Sequence, residues 1–279
     1  MITMFEPASS SLKDQLRALY FSFKGKELNE SSLLDLSLCR FVRPVTLLAI
    51  SACLRDYQCK VQEPLSPKVR EYLDKIHFPF GITKAEEVNM FDFNSPIGYI
   101  TQTDTIKSEA LERKFYQLVN RWAGNVEGVA SALQLPISEL VENIFQHSNK
   151  NHGWLFAQHY PKKKSFEMCI LDTGRGIAGS YRDIKNLNVR SKEAIELALK
   201  GTSTKVTETG RGWGLYTSKE IVNTKLNGEF LLVTGDAALY SNSVNQSLIE
   251  LPGFHWSGVI ISYRIPYPVA PIDITDILR

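Results

Sequence analysis

Glu139 and Asn143 stand four residues apart in the run Glu-Leu-Val-Glu-Asn-Ile-Phe-Gln-His. On a helix that spacing puts both on one face, and His147 continues it. Leu140, Val141 and Ile144 then point toward a core. A carboxylate beside a carboxamide suits a metal–phosphate site. The amide oxygen can ligate Mg2+, and the carboxylate can orient a water or hydroxyl nucleophile. The plain alternative is a solvated polar stripe. A second run, Leu171-Asp172-Thr-Gly174-Arg-Gly176-Ile177, ends a strand at a carboxylate and turns on two glycines. Such an Asp, facing an apolar pocket, can accept a hydrogen bond from an exocyclic amine such as that of adenine. A simple Asp-x-Gly turn is the bland reading. The third run, Gly210-Arg211-Gly212-Trp213-Gly214-Leu215, enters a helix. Alternating glycines bare backbone N–H groups, and a helix N-terminus adds partial positive charge, a combination that cradles phosphates. Upstream, Thr202, Ser203, Thr204 and Lys205 add hydroxyls and an ammonium. A surface loop would explain these glycines, but not their alternation before an apolar helix start. No GxxxxGK[ST] P-loop occurs, and the glycine run does not open a βαβ unit as a dinucleotide-binding turn does.

The elements that must position these residues follow from periodicity. Helical patterns cover residues 106–123 and 136–148, the latter carrying Glu139 and Asn143. Residues 153–159 and 166–171 read as adjacent strands joined by a polar Pro-Lys-Lys-Lys turn, the second ending at Asp172. Residues 192–200 and 215–223 read as helices flanking the glycine loop. Residues 229–234, 237–240 and 259–265 read as closing strands. Toward the N-terminus, strand, helix, strand and helix alternate over residues 32–39, 44–57, 60–62 and 67–80, a small α/β arrangement. Gly81, Asn94, Pro96 and Gly98 punctuate residues 81–104, where the domain boundary is expected. The division is 1–95 and 96–279.

The ordered set E-x-x-x-N, D-x-G-x-G and G-x-G-x-G-L resembles the Bergerat-fold (histidine-kinase-like) ATPases, the superfamily of gyrase B, Hsp90 chaperones, histidine kinases and MutL. The resemblance covers about residues 105–266. It implies an α/β sandwich, a mixed sheet covered by helices, that binds ATP with Mg2+. By that resemblance Asn143 binds Mg2+ and Asp172 reads the adenine amine. Gly174, Gly176 and Ile177 form the adenine-side loop. Gly210, Arg211, Gly212, Gly214 and Leu215 hold phosphates, and Thr202, Ser203, Thr204 and Lys205 belong to the ATP lid. Glu139 occupies the position of the general base in hydrolysing members. One departure shows: the family often places Gly-Thr on the last strand, the Thr helping to hold adenine, whereas here Val259 follows Gly258.

No histidine among His77, His147, His152, His159 and His255 sits upstream in an H-[ED]-x-x-[TN] helix, which argues against a histidine kinase. The chain is more similar to anti-sigma-factor serine kinases and stand-alone ATPase modules of bacterial regulators. Residues 1–95 resemble STAS-type anti-sigma antagonist domains, without the usual phosphorylatable serine; Thr46 in Arg-Pro-Val-Thr-Leu is at best a displaced substitute. A generic α/β cap packing on the ATPase domain is the alternative. Hydrophobic residues make up 43% and charged residues 22%, ordinary for a globular chain, so disorder and fibrous folds are excluded. The net charge of +2 gives no support to a nucleic-acid partner. Cys39, Cys53, Cys59 and Cys169 form no CxxC pair and read as buried free thiols. No signal peptide or membrane span is visible, so a cytoplasmic, bacterial regulatory protein is expected. Its function is slow ATP hydrolysis or Ser/Thr phosphotransfer, with a protein partner or homodimer. The alternative is an ATP-gated interaction switch with little turnover.

Overall fold

The computed structural model describes residues 1–90, 92–202 and 214–277. Its elements in chain order are β1 (Ile2–Thr3), α1 (Leu12–Phe23), β2 (Leu33–Asp35), α2 (Pro44–Asp56), β3 (Lys60–Gln62), α3 (Pro67–Lys75), β4 (Gly98–Thr101), α4 (Thr105–Trp122), α5 (Val129–His147), β5 (His152–Tyr160), β6 (Ser165–Leu171), α6 (Gly176–Lys185), α7 (Ser191–Leu199), α8 (Gly214–Glu220), β7 (Glu229–Gly235), β8 (Ala237–Ser241), β9 (Gln246–Glu250) and β10 (Trp256–Pro266). The strands form a seven-stranded sheet in the order β4-β5-β6-β10-β7-β8-β9 and a three-stranded sheet in the order β1-β2-β3.

The C-terminal domain's sheet, expected from the sequence to be mixed and covered by helices, is the large one and is covered by helices. Every pairing of named strands in the large sheet is antiparallel, because short connections join β5 to β6, β7 to β8 and β8 to β9. The small sheet is parallel, its strands linked through α1 and α2 as crossovers.

Alternation along the large sheet sends side chains to two covered faces. Leu155, Met168, Ile170, Leu232, Ile261 and Tyr263 meet α4 and α5 in one core. Trp154, Phe156, Cys169, Leu171, Leu231, Val233 and Ile260 meet the N-terminal residues in another. α2 is apolar all round and buried from Pro44 to Cys53, as a helix enclosed on every side must be. It packs on β5, β6 and β10, while α1 packs on β7, β10 and α2. Polar contacts reinforce this second face. Gln15 Nε2 donates to the buried Glu167 at 2.8 Å, and the Leu12 N–H donates to Glu229 at 2.9 Å. Arg264 bridges Glu229 at 2.9 Å and Ser10 at 3.0 Å.

The structure differs from the sequence reading in several elements. Residues 81–104 are not a plain linker. They contain β4, and the Ser95 N–H donates to the Ala157 carbonyl at 2.9 Å, strapping the segment along β5. α5 begins at Val129 rather than Pro136, which lies inside the helix. The start is set by Gly128 at φ 75°, where an added Cβ would sit 1.8 Å from the Ile272 carbonyl oxygen. α1, α6, β1 and β9 were not read from the sequence. Thr46 lies in the first turn of α2 at 4% exposure, its hydroxyl inside the core, so it presents no surface phosphoacceptor. The four cysteines are buried and free. Among the described residues no helix is long and apolar enough to cross a membrane.

Candidate nucleotide site

α5 is the helix around which the described parts of the sequence motifs pack: Glu139 and Asn143 on it, the turn after β6, and Gly214 and Leu215 at the start of α8. Glu139 and Asn143 are both half-buried on this helix. Gly214, the first residue of α8, abuts Glu139: a Cβ there would lie 2.1 Å from the Glu139 Oε2 and 2.8 Å from its Cδ. Glycine is the residue that lets the phosphate-loop helix approach the candidate base so closely. Leu215 follows it into the core.

The turn after β6 packs on the opposite end of α5. A Cβ on Gly174 would sit 2.1 Å from the Ser148 carbonyl oxygen. The Arg175 N–H donates to that oxygen at 2.8 Å, and its Nε donates to the His147 carbonyl at 2.8 Å. Ser180 on α6 donates to the same His147 carbonyl at 2.9 Å. Tyr181, also on α6, donates its hydroxyl to the Thr202 carbonyl, tying the start of the expected lid to this layer. Ser203, Thr204, Lys205, Gly210, Arg211 and Gly212 lie outside the described residues.

Asp172 is 4% exposed. Strand alternation places it on the α5 side, opposite to Leu171. Its Oδ1 accepts the Gly174 N–H at 2.7 Å, and its own N–H donates to the Val259 carbonyl at 2.9 Å. Burial pushes its carboxyl up to about 7; N–H donors from Gly174 and Val259 and the nearby His152 only partly offset this. A buried carboxyl with few donors is ready to take one more from a ligand.

Around Asp172, Trp256 and Thr234 were not picked out by sequence reasoning, and Gly258 was noted only as the glycine that Val259 follows. Gly258, at φ 106°, lets β10 pass so close that a Cβ would lie 2.2 Å from the Asp172 carbonyl oxygen. Trp256 Nε1 donates to that carbonyl at 3.2 Å. Thr234 on β7, 1% exposed, donates to the Gly258 carbonyl at 2.8 Å and accepts the Ile177 N–H at 3.2 Å. The hydroxyl missing after Gly258 is therefore found one strand away, where it fastens the turn of Gly176 and Ile177 to the sheet. Nothing in the local pattern around Thr234 signals this; only the pairing of β7 with β10 does.

The donor set fits a magnesium nucleotide. It offers one carboxamide, one carboxylate beside it, a buried acceptor and close-packed glycines. Among the described residues no group of three or more His, Cys, Asp or Glu side chains could hold a metal ion.

Residues 128–247 match the family model for histidine kinase-, DNA gyrase B-, and HSP90-like ATPases. The match opens at the left-handed Gly128 that starts α5 and closes within β9. No curated protein matches the chain. Residues 128–247 are therefore a domain of the histidine kinase-, DNA gyrase B-, and HSP90-like ATPases, with the described parts of its motifs packed around α5.

Proposed function

We propose that this protein is a regulatory ATPase or Ser/Thr protein kinase of the anti-sigma type, acting through a protein partner or a second copy. The observation that carries the reading is the abutment of Glu139 on Gly214. It sets a carboxylate at the helix start where terminal phosphates would rest. Asn143 would hold Mg2+ through its amide oxygen, with phosphate and water completing the shell. The bound Mg2+ would neutralise charge on the phosphates. Asp172 would accept the exocyclic amine of adenine, with Gly174, Gly176 and Ile177 lining the base side. Glu139 would take the proton from water, or from a Ser/Thr hydroxyl, as its oxygen bonds to the γ-phosphorus and the bond to the β-phosphate oxygen breaks. The products are ADP and either phosphate or a phosphorylated side chain.

Phosphate release from Mg-ATP tests this directly. Wild type is expected to release phosphate slowly, Glu139→Ala to fall by about 100-fold or more, and Asp172→Ala to lose nucleotide binding. Turnover by Glu139→Ala at the wild-type rate would remove Glu139 from the role. A second reading, an ATP-gated switch, draws on the Tyr181–Thr202 bond that links the lid start to α6. It expects no turnover, but partner capture or dimerisation that differs between ATP, ADP and no nucleotide.

A further inference from the structure

Asp172 and Thr173 leave β6 on opposite sides of the sheet. Asp172 turns toward α5, and Thr173 turns toward the N-terminal layer, where its hydroxyl donates to the carboxylate of Asp56. Asp56 is the last residue of α2, outside the ATPase domain, and its side chain is 8% exposed. The same carboxylate accepts His152 Nε2 at 3.0 and 2.9 Å, through both oxygens. The His152 ring, on the first residue of β5, is held between Tyr99 and Trp154, with centroids 5.4 and 5.2 Å away. Burial raises the Asp56 pKa, but the hydrogen bonds from His152 and Thr173 outweigh it and leave the carboxyl below its usual value. Asp56 is therefore a fixed, ionised acceptor.

A cavity of about 330 Å³ opens on this side of the turn, lined by Asp56, Tyr57, Lys150, Thr173, Arg175 and Ser257 among others. Thr173 is itself buried, and its hydroxyl takes the Asp56 carboxylate as its partner. Thr173 in turn lies between Asp172 and Gly174, whose N–H fixes the Asp172 Oδ1.

We propose that Asp56 is a positioning residue for base recognition: from the N-terminal layer it anchors Thr173 and thereby fixes the orientation in which Asp172 accepts an exocyclic amine. The inference rests on the reading of Asp172 as the adenine contact. It makes residues 1–95 part of nucleotide specificity, although none of them need touch nucleotide.

The test is calorimetric binding of Mg-ATP and Mg-ITP, the second bearing a 6-oxo group in place of the amine. Wild type is expected to prefer ATP. Asp56→Asn and Thr173→Val should each cut that preference about tenfold, the size of one charge-assisted hydrogen bond, with ITP affinity unchanged. Thr173→Ser should restore it, and the double variant should lose no more than either single one. Retained preference in both single variants, or equal loss of affinity for both nucleotides, overturns the proposal. Asp172→Asn separates the two ideas. If it abolishes the preference while Asp56→Asn keeps it, only the positioning role fails. If Asp172→Asn also keeps it, the adenine reading fails and takes the positioning role with it. Should Asp56→Asn not fold, the Thr173→Val and Thr173→Ser pair decides alone.

Discussion

Asp172 holds a carboxyl whose ionised form the fold does not favour. Its pKa is raised from 3.8 to about 7 by burial. Between those values the folded chain keeps a proton that the unfolded chain has lost, so the contribution to stability falls as pH rises through that window. That contribution is at most ~4 kcal/mol. Asp172→Asn has no such titration. Its stability relative to wild type should therefore climb from pH 4 to pH 7 and level off above, measured by urea unfolding at several pH values. A difference that does not move with pH would mean that the carboxyl is already solvated in the apo protein. The same ionisation bears on binding: ATP affinity should weaken as pH drops below about 7, where the carboxyl gains a proton. The residues proposed for this site were largely legible. Glu139, Asn143, Asp172 and Gly214 sit in motifs whose spacing already implies a helix face, a strand end and a helix start. Thr173 and Asp56 were not, because 117 positions separate them and no local pattern links one to the other.

The turn after β6 is an assembly of close approaches, and its parts should fail in a characteristic way. Thr234→Val keeps the side-chain volume but removes the donor to the Gly258 carbonyl and the acceptor for the Ile177 N–H. A buried carbonyl and a part-buried N–H then lose a partner, which should cost about 1–3 kcal/mol and weaken ATP binding, read by thermal unfolding and calorimetry. Unchanged stability would mean that water replaces the hydroxyl. Several elements were found from sequence: α2, α4, β3, β5 and β6 lie within a few residues of expectation. α1 was legible and missed. Ser11 caps it, accepting the Asp14 N–H, and Leu12, Leu16, Leu19 and Phe23 run down one buried face. α6 was hidden for a physical reason. It begins at Gly176, inside a glycine motif that reads as a turn, and contains another glycine at 179. α5 was shortened in the reading because Pro136 resembles a first-turn proline, whereas the true start depends on Gly128 and on the distant Ile272.

At the scale of the molecule, the large sheet has two wet-intolerant faces and needs both covers. The chain divides on paper near residue 95, yet Trp154, Phe156, Leu231 and Trp256 share one core with α1, α2 and the small sheet. A fragment of residues 96–279 should expose that face, and so precipitate or bind a hydrophobic dye; a soluble, ATP-binding fragment would show that the face tolerates water. Trp154→Ala, at 0% exposure, should cost about 3–5 kcal/mol. This interdependence was hard to read because each half carries its own strand–helix rhythm, and the sequence does not say that both halves bury against the same strands. The enclosed α2 has a historical corollary. A regulatory domain joined by a linker can be exchanged between proteins by recombination, since each piece survives the cut. Here the helix that carries Asp56 is also interior to the sheet's second core, so neither half can be traded without unmaking the other. Descendants of this chain should inherit the two halves together, and chimeras grafting residues 1–95 onto another ATPase domain should fail unless that domain brings a matching apolar face.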